Sequence, residues 1–270
     1  MTQRDSFWQR YAHKKATDHC RNQVTDPEKR EKLIPKDQFG CKRPMFLDSF
    51  YPALNAPNCS IITDPVVEIT KAGIISRGKS PDDKPTETKV DVLVWGTGYN
   101  LDIPGAHFPI YGRGGKLLQT HYGKELYCLY GVTIDEFPNM GNFLGPYSVG
   151  YWTPVIEQIE LTAHYNGLMI AYLLEANKGS FARAVMLRRE AAVEWTEGLR
   201  EGQKKLVASM PTCTTYYRTK HGTILNPPFK MGVYRKVLRR FEVEDMYVVL
   251  ERRAGVQGGE VVERKAPGRW

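Results

Sequence analysis

Residues 90–99 decide the fold: Val90-Asp91-Val92-Leu93-Val94-Trp95-Gly96-Thr97-Gly98-Tyr99. A mainly apolar run of this length, closed by a glycine-containing turn, is typical of a strand that is buried on both faces. Glycines at the carboxyl end of such a strand let a ligand approach the backbone, and open α/β sheets bind ligands at that end. The stretch predicts an α/β protein, and by itself it fits a plain buried strand with a turn equally well.

Two further blocks lie upstream, in a segment rich in Pro, Gly, Asn and Asp. They are Phe39-Gly40-Cys41-Lys42-Arg43-Pro44 and Tyr51-Pro52-Ala53-Leu54-Asn55-Ala56-Pro57-Asn58. A loop of this length with little regular structure is often functional. Considered alone, the pair Lys42-Arg43 is more often a surface pair tethered to carbonyls or carboxylates.

Several elements can be predicted from local patterns. Residues 5–34 are predicted to be helical, with Asp26 as an N-cap before Pro27 at the first helical position. Long amphipathic helices are expected after Gly145-Pro146-Tyr147-Ser148 and over about 180–208. Short strands are predicted at Cys59 to Thr63, Val66 to Thr70 and Gly73 to Ile75, a hairpin tip at 80–85, and a turn at 112–115.

Composition excludes several classes of protein. The chain has 270 residues, of which 41% are hydrophobic and 25% charged, as in ordinary globular proteins. The net charge of +8 is dispersed and no nucleic-acid-binding module is recognisable, so we expect no nucleic-acid partner; a basic surface also suits an anionic dinucleotide. No signal region or apolar run of transmembrane length is present, which favours a cytoplasmic protein without a membrane span.

The cysteines give no sign of a metal site. There are five, widely spaced and without a Cys-x-x-Cys pair: Cys20, Cys41, Cys59, Cys128 and Cys213. This spacing predicts no zinc or other metal centre. An odd number without paired spacing predicts reduced thiols in an intracellular protein.

Together the motifs resemble those of the Baeyer–Villiger monooxygenases, which are flavoproteins with two dinucleotide-binding domains. Residues 91–99 resemble the family's Asp-x-x-x-x-Ala-Thr-Gly-Phe/Tyr segment, whose turn lies against FAD. The two upstream blocks resemble Phe-Gly-x-Lys-Arg and Tyr-x-x-x-Asn-x-x-Asn-Val, in the same order and with similar spacing. Residues 137–148 resemble the last flavin-contacting strand and helix, and Tyr216 stands where the family's Ser-Trp-Tyr segment usually carries Trp.

The resemblance covers about residues 5–250 but only the C-terminal half of such an enzyme. It implies a partial two-dinucleotide-domain flavoprotein fold of the α/β class: the end of the NADP domain plus the C-terminal part of the FAD domain. By this resemblance residues 1–58 are a helical segment and linker loop from the NADP-domain side, and 59–252 are the C-terminal part of the FAD-binding domain. Residues 253–270 are rich in glycine and charged residues and are predicted to be a disordered tail. Neither G-x-G-x-x-G fingerprint is present, so a separate N-terminal half or a homo-oligomer is the expected partner.

The family reaction is NADPH- and O2-dependent oxygenation of a ketone to an ester or lactone. The resemblance therefore implies FAD and NADP as cofactors, a small-molecule ketone as substrate, and a place in secondary or xenobiotic metabolism. Arg43 matches the arginine that stabilises negative charge during oxygenation, and Lys42 matches the lysine that meets the cofactor's 2′-phosphate or positions the nicotinamide. The other matching cofactor-binding positions are Gly96, Thr97, Gly98, Tyr99, Gly145, Pro146, Tyr147 and Tyr216. The alternative is a catalytically inactive scaffold or small-molecule-binding remnant.

Overall fold

The computed structural model describes residues 3–80, 82–98, 108–123, 125–150, 154–179, 181–253 and 261–265. The chain divides into two compact units. Unit 1 comprises Met1–Ser6, Gly40–Arg43 and Asn100–Trp270, and unit 2 comprises Phe7–Phe39 and Pro44–Tyr99. The sequence predicts a division between residues 1–58 and 59–252, whose boundaries differ from those of the two units. The assignment of these two parts to the NADP and FAD domains stays a prediction.

Unit 2 combines three helices with a small antiparallel sheet. The helices are α1 (Phe7–Gln23), α2 (Pro27–Leu33) and α3 (Phe50–Leu54). The sheet has the order β1-β2-β3, formed by Val66–Ile69, Gly73–Ser76 and Thr86–Lys89. The carboxylate of Asp26 accepts hydrogen bonds from the backbone N–H groups of Glu28 (2.8 Å) and Lys29 (3.2 Å), which confirms the predicted N-cap of α2.

Unit 1 contains the larger core. Its helices are α4 (Leu118–Tyr122), α5 (Val155–Ala176), α6 (Arg189–Gln203), α7 (Met231–Val237) and α8 (Val243–Met246). Its antiparallel sheet, in the order β4-β5-β6, is formed by Phe181–Leu187, Tyr247–Arg253 and Val262–Lys265. Residues 113–115 form the predicted turn, as a single 3-10 turn. No described helix is long and apolar enough to cross a membrane.

The core of unit 1 lies between α5, α6 and the β4–β5 pair. Tyr165 of α5 and Tyr247 of β5 are almost fully buried there, at 0% and 1% exposure. Their hydroxyl groups lie 3.0 Å apart, and the Tyr247 hydroxyl lies 2.7 Å from Oγ1 of Thr133. Because each buried hydroxyl finds a polar partner, the core holds these aromatic side chains without a large desolvation cost.

The predicted buried strand at residues 90–95 is wrong. Strand β3 ends at Lys89, and no strand in the described part of the chain pairs with residues 91–98. The side chains of Val92, Val94 and Trp95 are 77%, 85% and 68% exposed. An apolar strand is buried on both faces only where neighbouring strands and helices cover it, and the described residues place none there.

Three other local predictions differ from the structure. The helix predicted over about 180–208 is strand β4 followed by α6, because pairing of β4 with β5 overrides the helix propensity of its Ala, Met and Leu residues. Residues 59–63 form no strand. Within the tail predicted to be disordered, Val262–Lys265 forms β6, since the open edge of β5 offers it backbone partners.

A buried carboxylate ties α4 to the start of α6. Asp135 is 5% exposed, lies 3.1 Å from Nε2 of His121, and accepts hydrogen bonds of 3.4 Å from Arg189. Burial by itself raises the pKa of Asp135, but hydrogen bonding and the charges of His121 and Arg189 outweigh it, so the pKa lies below its usual value.

We expect Asp135→Asn to lower the free energy of unfolding at neutral pH by about 2 kcal/mol, because it removes charge-assisted hydrogen bonds. The folded-state pKa of Asp135 is below the unfolded value, so its contribution is present above about pH 4 and is lost as the pH falls through the folded pKa. Denaturant unfolding across this pH range measures the effect. The exposed Asp245→Asn serves as the control, and equal losses for both variants would contradict the prediction.

Candidate cofactor and active site

A disulfide anchors the segment that carries Arg43, the predicted catalytic residue, and Lys42, a predicted cofactor-binding residue. Residues 40–43 belong to unit 1, although the residues before and after them along the chain belong to unit 2. Cys41 is bonded to Cys213, with their Cα atoms 5.6 Å apart. The disulfide therefore fixes the backbone next to Lys42 and Arg43 onto unit 1.

This disulfide corrects the prediction that all five thiols are reduced. Cys41 and Cys213 are 172 residues apart in sequence, so only the tertiary fold brings them together and their spacing gives no sign of it. Cys20 and Cys128 are free and buried, and Cys59 is free and half-buried.

Lys42 and Arg43 are exposed on unit 1, and Tyr216 lies within electrostatic reach of Arg43. The Tyr216 hydroxyl donates a hydrogen bond to the Tyr217 hydroxyl (3.0 Å), and their ring centroids are 4.2 Å apart. Desolvation and this hydrogen bond raise the pKa of Tyr216 to about 12, while the charge of Arg43 acts in the opposite direction. At neutral pH Tyr216 is therefore an uncharged hydrogen-bonding group beside a cation.

The Gly145-Pro146-Tyr147 turn is packed into unit 1. Tyr147 is 2% exposed and its hydroxyl donates to the carbonyl of Leu126 (2.9 Å). A Cβ added to Gly145 would lie 2.2 Å from the carbonyl oxygen of Gly131, so this glycine is needed for close backbone packing. These contacts are made with other residues of unit 1. That the turn binds a cofactor stays a prediction.

The Gly96-Thr97-Gly98 segment belongs to unit 2 and is exposed to solvent. Gly98 has φ +83°, a left-handed conformation that favours glycine. No atom lies within 4 Å of a Cβ added at Gly96 or Gly98, so a ligand can approach this backbone. Tyr99, the last residue of the predicted motif, lies outside the described residues.

The structure thus brings Lys42, Arg43 and Tyr216 together in unit 1 and places the Gly96–Gly98 turn in unit 2. In unit 1 the two exposed cations fit the phosphates of an anionic dinucleotide. In unit 2, considered by itself, the glycine backbone is open to a ligand. Sequence reasoning missed the anchoring pair Cys41–Cys213. One signal was available, since each cysteine directly adjoins a block that carries predicted site residues.

No family model matches the chain. It is 41% identical over 245 residues to an FAD-binding monooxygenase from Botryotinia fuckeliana, covering 91% of this chain and 46% of that protein. It is 30% identical over 202 residues to a Baeyer–Villiger monooxygenase from Pseudomonas aeruginosa, covering 74% of this chain and 36% of that one. The chain therefore spans less than half the length of these curated relatives.

Solved structures show the same correspondence in three dimensions. An oxidised steroid monooxygenase bound to NADP superposes with a TM-score of 0.73 at 24% identity, over 88% of this chain and 44% of that one. The closed structure of cyclohexanone monooxygenase gives the same TM-score and identity, over 88% of this chain and 43% of that one. At this level of identity the likeness shows the fold alone.

The fold is that of a partial α/β flavoprotein, as the sequence predicted. With the curated relatives, this shows that the chain belongs to the Baeyer–Villiger-type flavin monooxygenases and corresponds to their C-terminal half.

We expect Cys41→Ser to lower the free energy of unfolding by about 2–5 kcal/mol, because the disulfide closes a long loop. Trypsin should also cleave after Lys42 faster in this variant than in the parent protein. Calorimetry and timed proteolysis followed by mass spectrometry measure the two effects. Cys59→Ser, which alters a free thiol, is the matched control, and cleavage at the same rate in both variants would show that the disulfide does not restrain this segment.

We expect Gly145→Ala to lower the free energy of unfolding by about 1–3 kcal/mol, because the new methyl group overlaps the Gly131 carbonyl. Gly167→Ala, on an open face of α5, is the matched control and should raise it by up to about 1 kcal/mol through helix propensity. Denaturant unfolding of both variants makes the comparison. A neutral Gly145→Ala would mean that the Gly131–Gly145 approach is looser than the structure shows.

Proposed function

We propose that this chain provides the C-terminal part of an FAD- and NADPH-dependent monooxygenase that converts a ketone to an ester or lactone, in secondary or xenobiotic metabolism. The observation that carries the proposal is the anchored cationic segment. The Cys41–Cys213 disulfide fixes Lys42 and Arg43 on unit 1, within electrostatic reach of Tyr216. The similarity to named monooxygenases over most of the chain supports it.

In this proposal Lys42 and Arg43 have different roles. When bound, NADPH and FAD supply the electrons and activate O2. Arg43, which is exposed in this chain, stabilises the negative charge that develops while oxygen is transferred to the ketone carbonyl carbon. A covering N-terminal part excludes water from it, and a cation at reduced dielectric strongly favours such charge. Lys42 meets the phosphate of NADP as a compact positive charge. Tyr216 donates or accepts a hydrogen bond without adding charge, since its pKa lies far above neutrality.

The proposal includes a polypeptide that corresponds to the N-terminal half of the relatives, either in the same longer chain or as a separate one. Support comes from the exposed apolar segment of unit 2, where Val92, Val94 and Trp95 are 77%, 85% and 68% exposed. Burying side chains of this size is favourable by about 1.5–3 kcal/mol each, so a covering sheet and helices would be stabilised there.

The test combines the purified chain with the N-terminal part of the Botryotinia fuckeliana relative, expressed separately. We expect the assembly to retain flavin absorption through gel filtration and to oxidise a ketone with NADPH. Arg43→Ala should lower ester formation by about 10²–10³-fold while NADPH oxidation continues, because one electrostatic stabiliser is lost. Ester product and NADPH consumption are measured side by side.

The matched control is Arg239→Ala, which removes another exposed arginine of unit 1. It should leave the ratio of ester to NADPH unchanged. If the Arg43→Ala variant keeps the ratio of ester to NADPH of the parent protein, Arg43 does not have the proposed role. An assembly that neither retains flavin nor oxidises NADPH would contradict the proposed function and favour the non-catalytic alternative.

A further inference from the structure

Unit 1 contains a cavity of about 530 Å³ that none of its predicted cofactor or active-site residues lines. It lies between α6, the turn at residues 129–130 and the segment that leads into α7. Its lining is mainly apolar and aromatic, with Leu129, Tyr130, Trp195, Leu199, Phe229 and Val233 on the walls. A volume of a few hundred Å³ with apolar walls is typical of sites for small molecules.

Aromatic rings form one side of this cavity. Trp195 of α6 lies between Tyr130, at 4.7 Å between ring centroids, and Phe229, at 5.6 Å. The Trp195 and Tyr130 rings are nearly perpendicular, at 87°, and the Tyr130 side chain is almost fully buried. Because Phe229 also stacks on Tyr234, these rings support one another, and the wall keeps its shape without a ligand. Flat apolar molecules bind well to such preformed aromatic walls.

A glycine in α6 leaves open space next to the aromatic wall. Gly198 lies one helical turn from Gly202, so both occupy the same face of the helix. A Cβ at Gly202 would lie 2.6 Å from Pro228, so close packing against Pro228 requires a glycine at this position. No protein atom lies within 4 Å of a Cβ at Gly198, although glycine is unfavourable inside a helix. Because Gly198 lines the cavity, a side chain at position 198 would extend into its open space.

Charged and polar groups lie on the rim. Glu194 and Lys205 are exposed lining residues, and Gln3 lies beside them. The N-terminal segment is fixed there, because the backbone N–H of Arg4 donates to the carbonyl of Lys205 (2.9 Å) and Gln3 forms a β-bridge with Leu206. The ammonium group of Lys205 gives the rim a hydrogen-bond donor with a positive charge.

We propose that this cavity is a binding site for a flat, mainly apolar small molecule that carries an anionic or hydrogen-bond-accepting group at one end. The rings of such a ligand lie against Trp195 and Phe229, and its polar end meets Lys205. The ligand binds without FAD, NADPH or any second polypeptide, so the proposal is independent of the proposed catalytic function.

Two naphthalene probes test the proposal on the purified full chain. They are 8-anilinonaphthalene-1-sulfonate, which is anionic, and N-phenyl-1-naphthylamine, which has the same rings without the sulfonate. We expect saturable binding of both probes at one site. Gly198→Leu should weaken both by about tenfold or more, because it fills the cavity. Lys205→Ala should weaken only the sulfonate, by about threefold to tenfold.

Gly167→Leu is the matched control for Gly198→Leu, since both replace a solvent-exposed glycine inside a helix with open space around it. Thermal unfolding of each variant shows whether it remains folded. Should Gly198→Leu fail to fold, Lys205→Ala still locates the site, because it should weaken only the sulfonate. Lys204→Ala, which alters an exposed lysine outside the cavity lining, should leave the binding of both probes unchanged.

Three results would overturn the proposal. The first is probe binding that does not saturate, which would indicate adsorption to exposed apolar side chains elsewhere. The second is equal binding by the Gly198→Leu and Gly167→Leu variants when both are folded. The third is binding of the sulfonate that falls equally in Lys205→Ala and Lys204→Ala.

Discussion

The antiparallel pairing of β4 with β5 is the constraint on which unit 1 depends. Seven consecutive residue pairs, from Phe181–Arg253 to Leu187–Tyr247, hold the two strands together. The segment before the Gly145 turn is hydrogen-bonded to strand β4. Asn139 exchanges two hydrogen bonds of 2.9 Å with the backbone of Val185, and the backbone of Asp135 forms a β-bridge with Leu187. The same pairing places the Tyr247 side chain in the core against α5. Both the packed turn and the Leu129–Tyr130 wall of the cavity are thereby positioned by a sheet that contributes no predicted site residue.

Ion pairs link all three strands of this sheet. Glu251 of β5 is 7% exposed, and its carboxylate lies 2.9 Å from the guanidinium of Arg183 on β4 and 2.9 Å from that of Arg264 on β6. A buried carboxylate between two guanidinium groups satisfies its acceptors, which offsets the cost of removing it from water. Lys42 and Arg43 are held in another way, because the neighbouring Cys41–Cys213 disulfide fixes their backbone.

Sequence reasoning succeeded where the signal is local or is carried by several motifs in order. The N-cap at Asp26, the long helix expected after Gly145-Pro146-Tyr147-Ser148, which is α5, and the partial flavoprotein fold are of this kind. It failed where long-range partners decide the outcome. Val92 and Val94 have the pattern of a buried strand, but burial also requires neighbours that a local pattern cannot supply. β4 becomes a strand because β5 pairs with it, and Cys41 meets Cys213 only in the folded chain. The candidate site residues were selected by motif, and the sequence could not show that Tyr147 is packed inside while Arg43 is exposed.

The left-handed residues between 130 and 147 have a consequence for how this protein can diverge. Tyr130, Glu136, Asn139 and Tyr147 all have positive φ values, between 56° and 67°. Side chains other than glycine, asparagine and aspartate rarely adopt this conformation, and β-branched residues are the least suited to it. At Tyr130 and Tyr147 an exchange for valine or isoleucine would lose the buried ring and add backbone strain at the same position. Few residue types are therefore acceptable at these four positions, whereas the solvent-facing positions of α5 have helical backbone angles and carry no such restriction.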